Sequence, residues 1–74
     1  MSSQQIQIKL GKLIEKKAKQ KFKTKLEFAS AADVDEKSIR RIFKGEQNIS
    51  LNLFKSIAIV LDTTMSDLLA EIGE

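Results

Sequence analysis

The stretch 24-TKLEFASAADVDEKSIRRIFKG-45 reads as two short helices joined by a tight turn. Thr24 offers a side-chain oxygen to the orphan amides of a helix start, and Glu27 stands three residues on, the spacing of a capping box. Phe28, Ala29 and Ala32 then fall at i, i+1 and i+4, a narrow stripe on one face of a helix running from Lys25 to about Ala32. Asp33-Val34-Asp35 has the composition of a turn, and Asp35 is placed to cap a following helix over Glu36 to Phe43. Gly45 ends that helix, because glycine takes the left-handed position after a helix at no steric cost. Only Ile39 and Ile42 form its core-facing stripe. Glu36, Lys37, Ser38, Arg40, Arg41 and Lys44 must point elsewhere, so this helix is anchored by two aliphatics and otherwise displayed.

The flanking sequence extends the same pattern. Upstream, Ile6, Leu10, Leu13, Ile14 and Ala18 share one side of a helix from about Ser3 to Gln20. Downstream, Ser50 caps a fourth helix that turns Leu51, Phe54, Ile57, Ala58 and Leu61 inward. A fifth begins after Thr64, has Asp67 at its third position, and buries Leu68 and Leu69. Proline is absent, strand-like alternation is confined to IQIKL, and neither a repeat nor a linker divides the chain. The expectation is one all-α domain of five helices over residues 1–74.

Composition narrows the function. A chain of 74 residues buries only about 60% of its unfolded surface, which leaves little room for a large catalytic cleft. Cysteine and histidine are missing, so thiolate or imidazole metal sites, disulfides and the commonest general base are missing with them; no cofactor, no metal and no enzymatic activity are expected. The longest apolar run, Ile57 to Leu61, is far short of the roughly 20 residues of a membrane span. The N-terminal residues lack a signal-peptide pattern, and a cytoplasmic protein is expected. The net charge of +3 hides an asymmetry. Residues 1 to 44 carry twelve bases against five acids, whereas residues 45 to 74 carry one base against five acids. Such a division suits a front that meets a polyanion and a back that does not.

The motif resembles the helix-turn-helix domain of the Xre/Cro-type family, the phage repressor and Cro-like proteins with a compact lambda-repressor-like fold. The resemblance covers about Leu10 to Leu69. It rests on the cap Thr24, the pair Phe28-Ala29, the turn Asp33-Val34, then Ile39, Ile42 and Gly45, with QNISL and IAIVLDTTMSDLL matching the fourth and fifth helices. Asp33 stands where the family has a turn glycine, a replacement the turn tolerates because Asp visits left-handed conformations more readily than most residues. Lys25 replaces a frequent Gln. Ala18 and Phe43 stand where members often pair an Arg with a Glu, and apolar packing can replace a buried ion pair, so the two are expected to touch.

The resemblance implies double-stranded DNA as partner, read in the major groove by the third helix. Glu36, Lys37 and Arg41 would take the base-facing positions, with Ser38 and Arg40 beside them, Arg41 donating two bonds to guanine O6 and N7. Lys23, Thr24 and Lys25 would form one phosphate site, and Lys44, Gln47 and Asn48 the other. Ile59, Met65, Leu69 and Ile72 offer apolar surface for a homodimer on a palindromic operator. The implied role is a transcriptional regulator, a repressor. Its rivals on the same fold are an antitoxin that binds both operator and a toxin protein, and an interaction module that binds no DNA.

Overall fold

The computed structural model describes residues 3 to 73, and among them every regular element is helical. The order is α1 (Ser3–Lys21), α2 (Lys25–Ala31), α3 (Glu36–Lys44), α4 (Leu51–Val60) and α5 (Met65–Glu71). At 1.5 Å per residue α1 is about 28 Å long. It therefore spans nearly the whole of the molecule's longest dimension, 31 Å. It packs on α2, α3 and α5 as one long strap, and α4 joins the bundle through α5.

The four short helices start as their sequences predict. Thr24, Asp35, Ser50 and Thr64 each sit in extended backbone, and the side-chain oxygen of each accepts from the amide three residues later. The Thr24 hydroxyl accepts from the Glu27 amide at 3.1 Å and donates to the Glu27 carboxylate at 3.5 Å.

The helix ends share one device. After α2, the Val34 amide reaches back to the Ala29 carbonyl at 2.9 Å with Asp33 at φ +58°. After α3, the Glu46 amide reaches the Arg41 carbonyl at 2.9 Å with Gly45 at φ +74°. After α4, the Thr63 amide reaches the Ala58 carbonyl at 2.9 Å with Asp62 at φ +57°. Each is a Schellman-type stop with a left-handed residue just past the helix. Asp33 was expected to adopt that conformation. Asp62 was not, although the same short polar side chain supports it.

The core draws on all five helices: Leu10, Ile14 and Ala18 from α1, Phe28 and Ala29 from α2, Ile39, Ile42 and Phe43 from α3, Phe54, Ile57 and Ala58 from α4, and Leu68 from α5. Burying an aliphatic or aromatic side chain fully contributes roughly 1.5 to 3 kcal/mol. Two glycines set how closely α1 approaches α3. A Cβ on Gly11 would lie 2.1 Å from the Ile42 carbonyl oxygen, and one on Gly45 would lie 2.7 Å from Ile8 Cα. Backbone meets backbone there, and no larger residue fits without moving a helix.

Three apolar positions differ from expectation. Leu51 was to face inward but is 73% exposed: its spacing to Phe54 puts it on the right face, yet it is the first residue of α4, past the edge of the core. Leu69, expected both in the core and on the outer apolar surface, is 38% exposed because its neighbour Leu68 holds the fully buried position of α5. Ile72, expected on a dimer surface, is buried in the core instead. It caps α5 and lies four residues after Leu68, on the same helical face.

Candidate nucleic-acid interface

At about 100° per residue, the exposed Lys37, Arg40, Arg41 and Lys44 fall within one arc of about 100° on α3, opposite the buried Ile39, Ile42 and Phe43. Glu36 and Ser38, both half-buried, mark the two borders of the stripe. The local sequence produces this division directly, since every third or fourth residue outside the apolar set is basic.

The five residues expected to read bases are not equally available. The Arg40 guanidinium lies 3.5 Å from the Glu36 carboxylate one turn back, with both side chains substantially exposed, so the pair holds them only weakly. The Ser38 hydroxyl donates to Asp35 Oδ1 at 2.8 Å, and the Ser38 amide donates to Oδ2 at 3.0 Å. These bonds from Ser38, aided by Lys37, hold the Asp35 carboxyl below the ordinary aspartate range. Lys37 and Arg41 make no ion pair among the described residues; Lys37 falls near the middle of the stripe and Arg41 at the edge opposite Arg40.

The residues expected at phosphates come from the start of α2 and from the end of α3 and the segment after it. Lys25, from the start of α2, lines a shallow cleft with Arg40, Phe43 and Lys44 of α3, which brings one member of each phosphate group together. Lys23 and Thr24 are exposed at the turn before α2. Asn48 is exposed, and its side-chain oxygen accepts from the Gln7 amide of α1. The Gln7 contact had no counterpart in the sequence reading, because a polar residue 41 positions away shows no periodic signal. Leu26, beside Lys25, is 61% exposed and adds an apolar side chain to this end of the surface, which no periodic signal marks.

Other basic residues hold the molecule together. Lys17 meets Glu71 of α5 at 3.0 Å, and Lys21 bridges the Asp62 carboxylate and the Val60 carbonyl, each at 2.6 Å. Among the described residues there is no cluster of His, Cys, Asp or Glu able to hold a metal ion, and no helix is long and apolar enough to cross a membrane.

The expected dimer residues are dispersed. Ile59 is 64% exposed and shares a cleft of about 220 Å³ with Lys55 and Met65, while Leu69 lies outside that cleft.

A basic stripe on the second helix of a tight two-helix unit, with cationic side chains at the start of the first, is a surface shaped for a duplex. The helix-turn-helix family model matches residues 14–68, and the chain belongs to that family, of the Xre/Cro-like type. No curated protein matches the chain. Membership and fold together make this a DNA-binding regulatory domain.

Proposed function

We propose that this protein is a sequence-specific transcriptional regulator that acts as a repressor, reading the major groove with α3 and binding a palindromic operator as a dimer. The observation that carries the reading is the stripe of Lys37, Arg40, Arg41 and Lys44, which has no acid within its arc and lies opposite the helix's anchor. A groove about 12 Å wide admits one such helix. Lys37 near its middle and Arg41 at one edge address base edges, with Glu36, Ser38 and Arg40 beside them. Lys23, Thr24, Lys25, Lys44, Gln47 and Asn48 hold the duplex backbone. A dimer is favoured because one helix reads too few base pairs for a unique site. Ile59 and Met65 supply an apolar face in the half of the chain that carries excess acid.

Selection of bound duplexes from a random pool tests this directly. The expected product is a site of two inverted half-sites about one helical turn, roughly 34 Å, apart. Recovery of unrelated sequences, or of a single half-site bound by one chain, would count against it. Sedimentation of Ile59→Asp should show the monomer with an unchanged fold. Ile72 is unsuitable for that test because its substitution would damage the core.

A further inference from the structure

A second cleft, of about 190 Å³, opens where α1 meets α2. Its walls are Ala18 and the rings of Phe22, Phe28 and Phe43. Phe28 and Phe43 stack with centroids 5.9 Å apart and planes 13° apart, and Phe22 leans on Phe28 at 5.6 Å and 46°. Position 18 contributes only a methyl group between these rings, so the space beside it stays open. An apolar cavity of roughly 150 Å³ lined by aliphatic and aromatic side chains accepts benzene. The cleft is similar in volume but open to solvent on one side, so it has room for one six-membered aromatic ring lying against the half-buried Phe22, over a floor of the nearly covered Ala18, Phe28 and Phe43.

The rim carries three cations, Lys19, Lys23 and Lys25, and no acid lines the cleft. Lys19 is held only by an exposed pair with Glu15 at 3.4 Å, and Lys23 and Lys25 make no ion pair among the described residues. An anion attached to the ring would meet them without displacing a strong partner. The neighbouring cleft at Arg40 and Lys44 is a poorer choice, since Glu15 forms part of its wall.

We propose that this cleft binds a small aromatic carboxylate, ring inward and carboxylate among the lysines, and that its occupation opposes DNA binding. The second half rests on the function proposed above, because Lys23, Thr24 and Lys25 line the cleft and are also the residues assigned to one phosphate site. The first half does not depend on DNA.

Amide NMR of the isotopically labelled full chain, titrated with sodium benzoate in the absence of DNA, tests the site. Saturable shifts confined to the surroundings of Ala18, Phe22, Phe28 and Phe43 are expected, with acetate and benzyl alcohol each binding at least about tenfold more weakly. Ala18→Leu fills the space and should weaken benzoate by about tenfold or more while the melting temperature holds or rises. Should that variant misfold, Lys19→Gln with Lys23→Gln should weaken benzoate but leave benzyl alcohol unchanged. Equal binding of acetate and benzoate, shifts located elsewhere, or undiminished benzoate binding by folded Ala18→Leu would overturn the site. Added benzoate should raise the Kd of the parent for its selected duplex and leave that of Ala18→Leu unaltered. An unaltered parent Kd at saturating benzoate would overturn the opposition. Failure to bind any duplex would overturn the regulator reading and the opposition with it, while the titration still decides the site.

Discussion

α3 and α4 are nearly equal in length, each starts on a capping side-chain oxygen, and each sinks one face into the same core. What they show to the outside differs in kind. α3 presents four cations in one stripe, whereas α4 presents Leu51 and Ile59, at 73% and 64% exposure, with Lys55 between them. The buried arcs are interchangeable in character, aliphatic with a phenylalanine. Function must therefore be sought on the arcs that packing leaves unconstrained, one suited to a polyanion and the other to an apolar partner.

The sharpest way to test the shared half of this comparison is to remove an anchor from each helix. Phe43→Ala and Phe54→Ala should each destabilise the protein by about 3 to 5 kcal/mol in denaturant titrations. That is a large share of the roughly 5 to 15 kcal/mol available to a domain. A much smaller loss at Phe43 alone would show that α3 is held differently from α4.

The exposed halves should separate by readout. Arg41→Ala should cost about 1 to 3 kcal/mol on a selected duplex and relax preference at one base pair, with melting unchanged. Lys25→Ala should weaken cognate and random duplexes alike and lower the salt dependence. Equal losses for Arg41→Ala on both duplexes would remove its base-reading role. Ile59→Asp should leave the Kd for an isolated half-site as it is, measured by anisotropy, if α4 faces a protein partner.

The caps offer a finer comparison. Ser50→Ala should lower stability by about 1 kcal/mol, because the Leu53 amide then loses its acceptor at 3.1 Å. The counterpart in α3 is ionised and so depends on pH. Folding lowers the Asp35 pKa, through the Ser38 hydroxyl first and the Ser38 amide next. A lowered carboxylate contributes stability above its unfolded pKa and loses it as pH falls through the folded one. The melting difference between the parent and Asp35→Ala should hold at neutral pH and shrink only below the ordinary aspartate value of about 3.9. The difference for Ser50→Ala should not follow that curve.

Much of this was legible in the residues. Caps and stops are local, so Thr24, Asp35, Ser50 and Thr64 announce where the four short helices start and Gly45 where the third helix ends, while the first helix showed in its apolar stripe. The stripe on α3 was equally plain, because the opposed arcs follow from spacing alone. Long-range facts were not legible. A glycine inside a helix costs stability wherever it stands, and nothing local marks Gly11 as the point where α3 crosses. Ile72 stands just past the end of a short helix, where an apolar residue resembles surplus surface, although its four-residue spacing from Leu68 points inward. The cleft at Ala18 needed three rings from three segments to be placed together, and the expected replacement of an ion pair by Ala18 and Phe43 gave only one wall of it.

The strap-like placement of α1 has a consequence for synthesis on the ribosome. Its apolar side, Leu10, Ile14 and Ala18, emerges first but finds partners in α2, α3 and α5, and its polar and charged links run from Gln7 to Asn48, Lys21 to Asp62 and Lys17 to Glu71. The two-helix motif is complete by residue 45, yet Leu68 and Ile72 must still arrive before the α1 surface is covered. A nascent chain halted after α4 should therefore remain open to protease along α1 and become resistant only when α5 has cleared the exit tunnel.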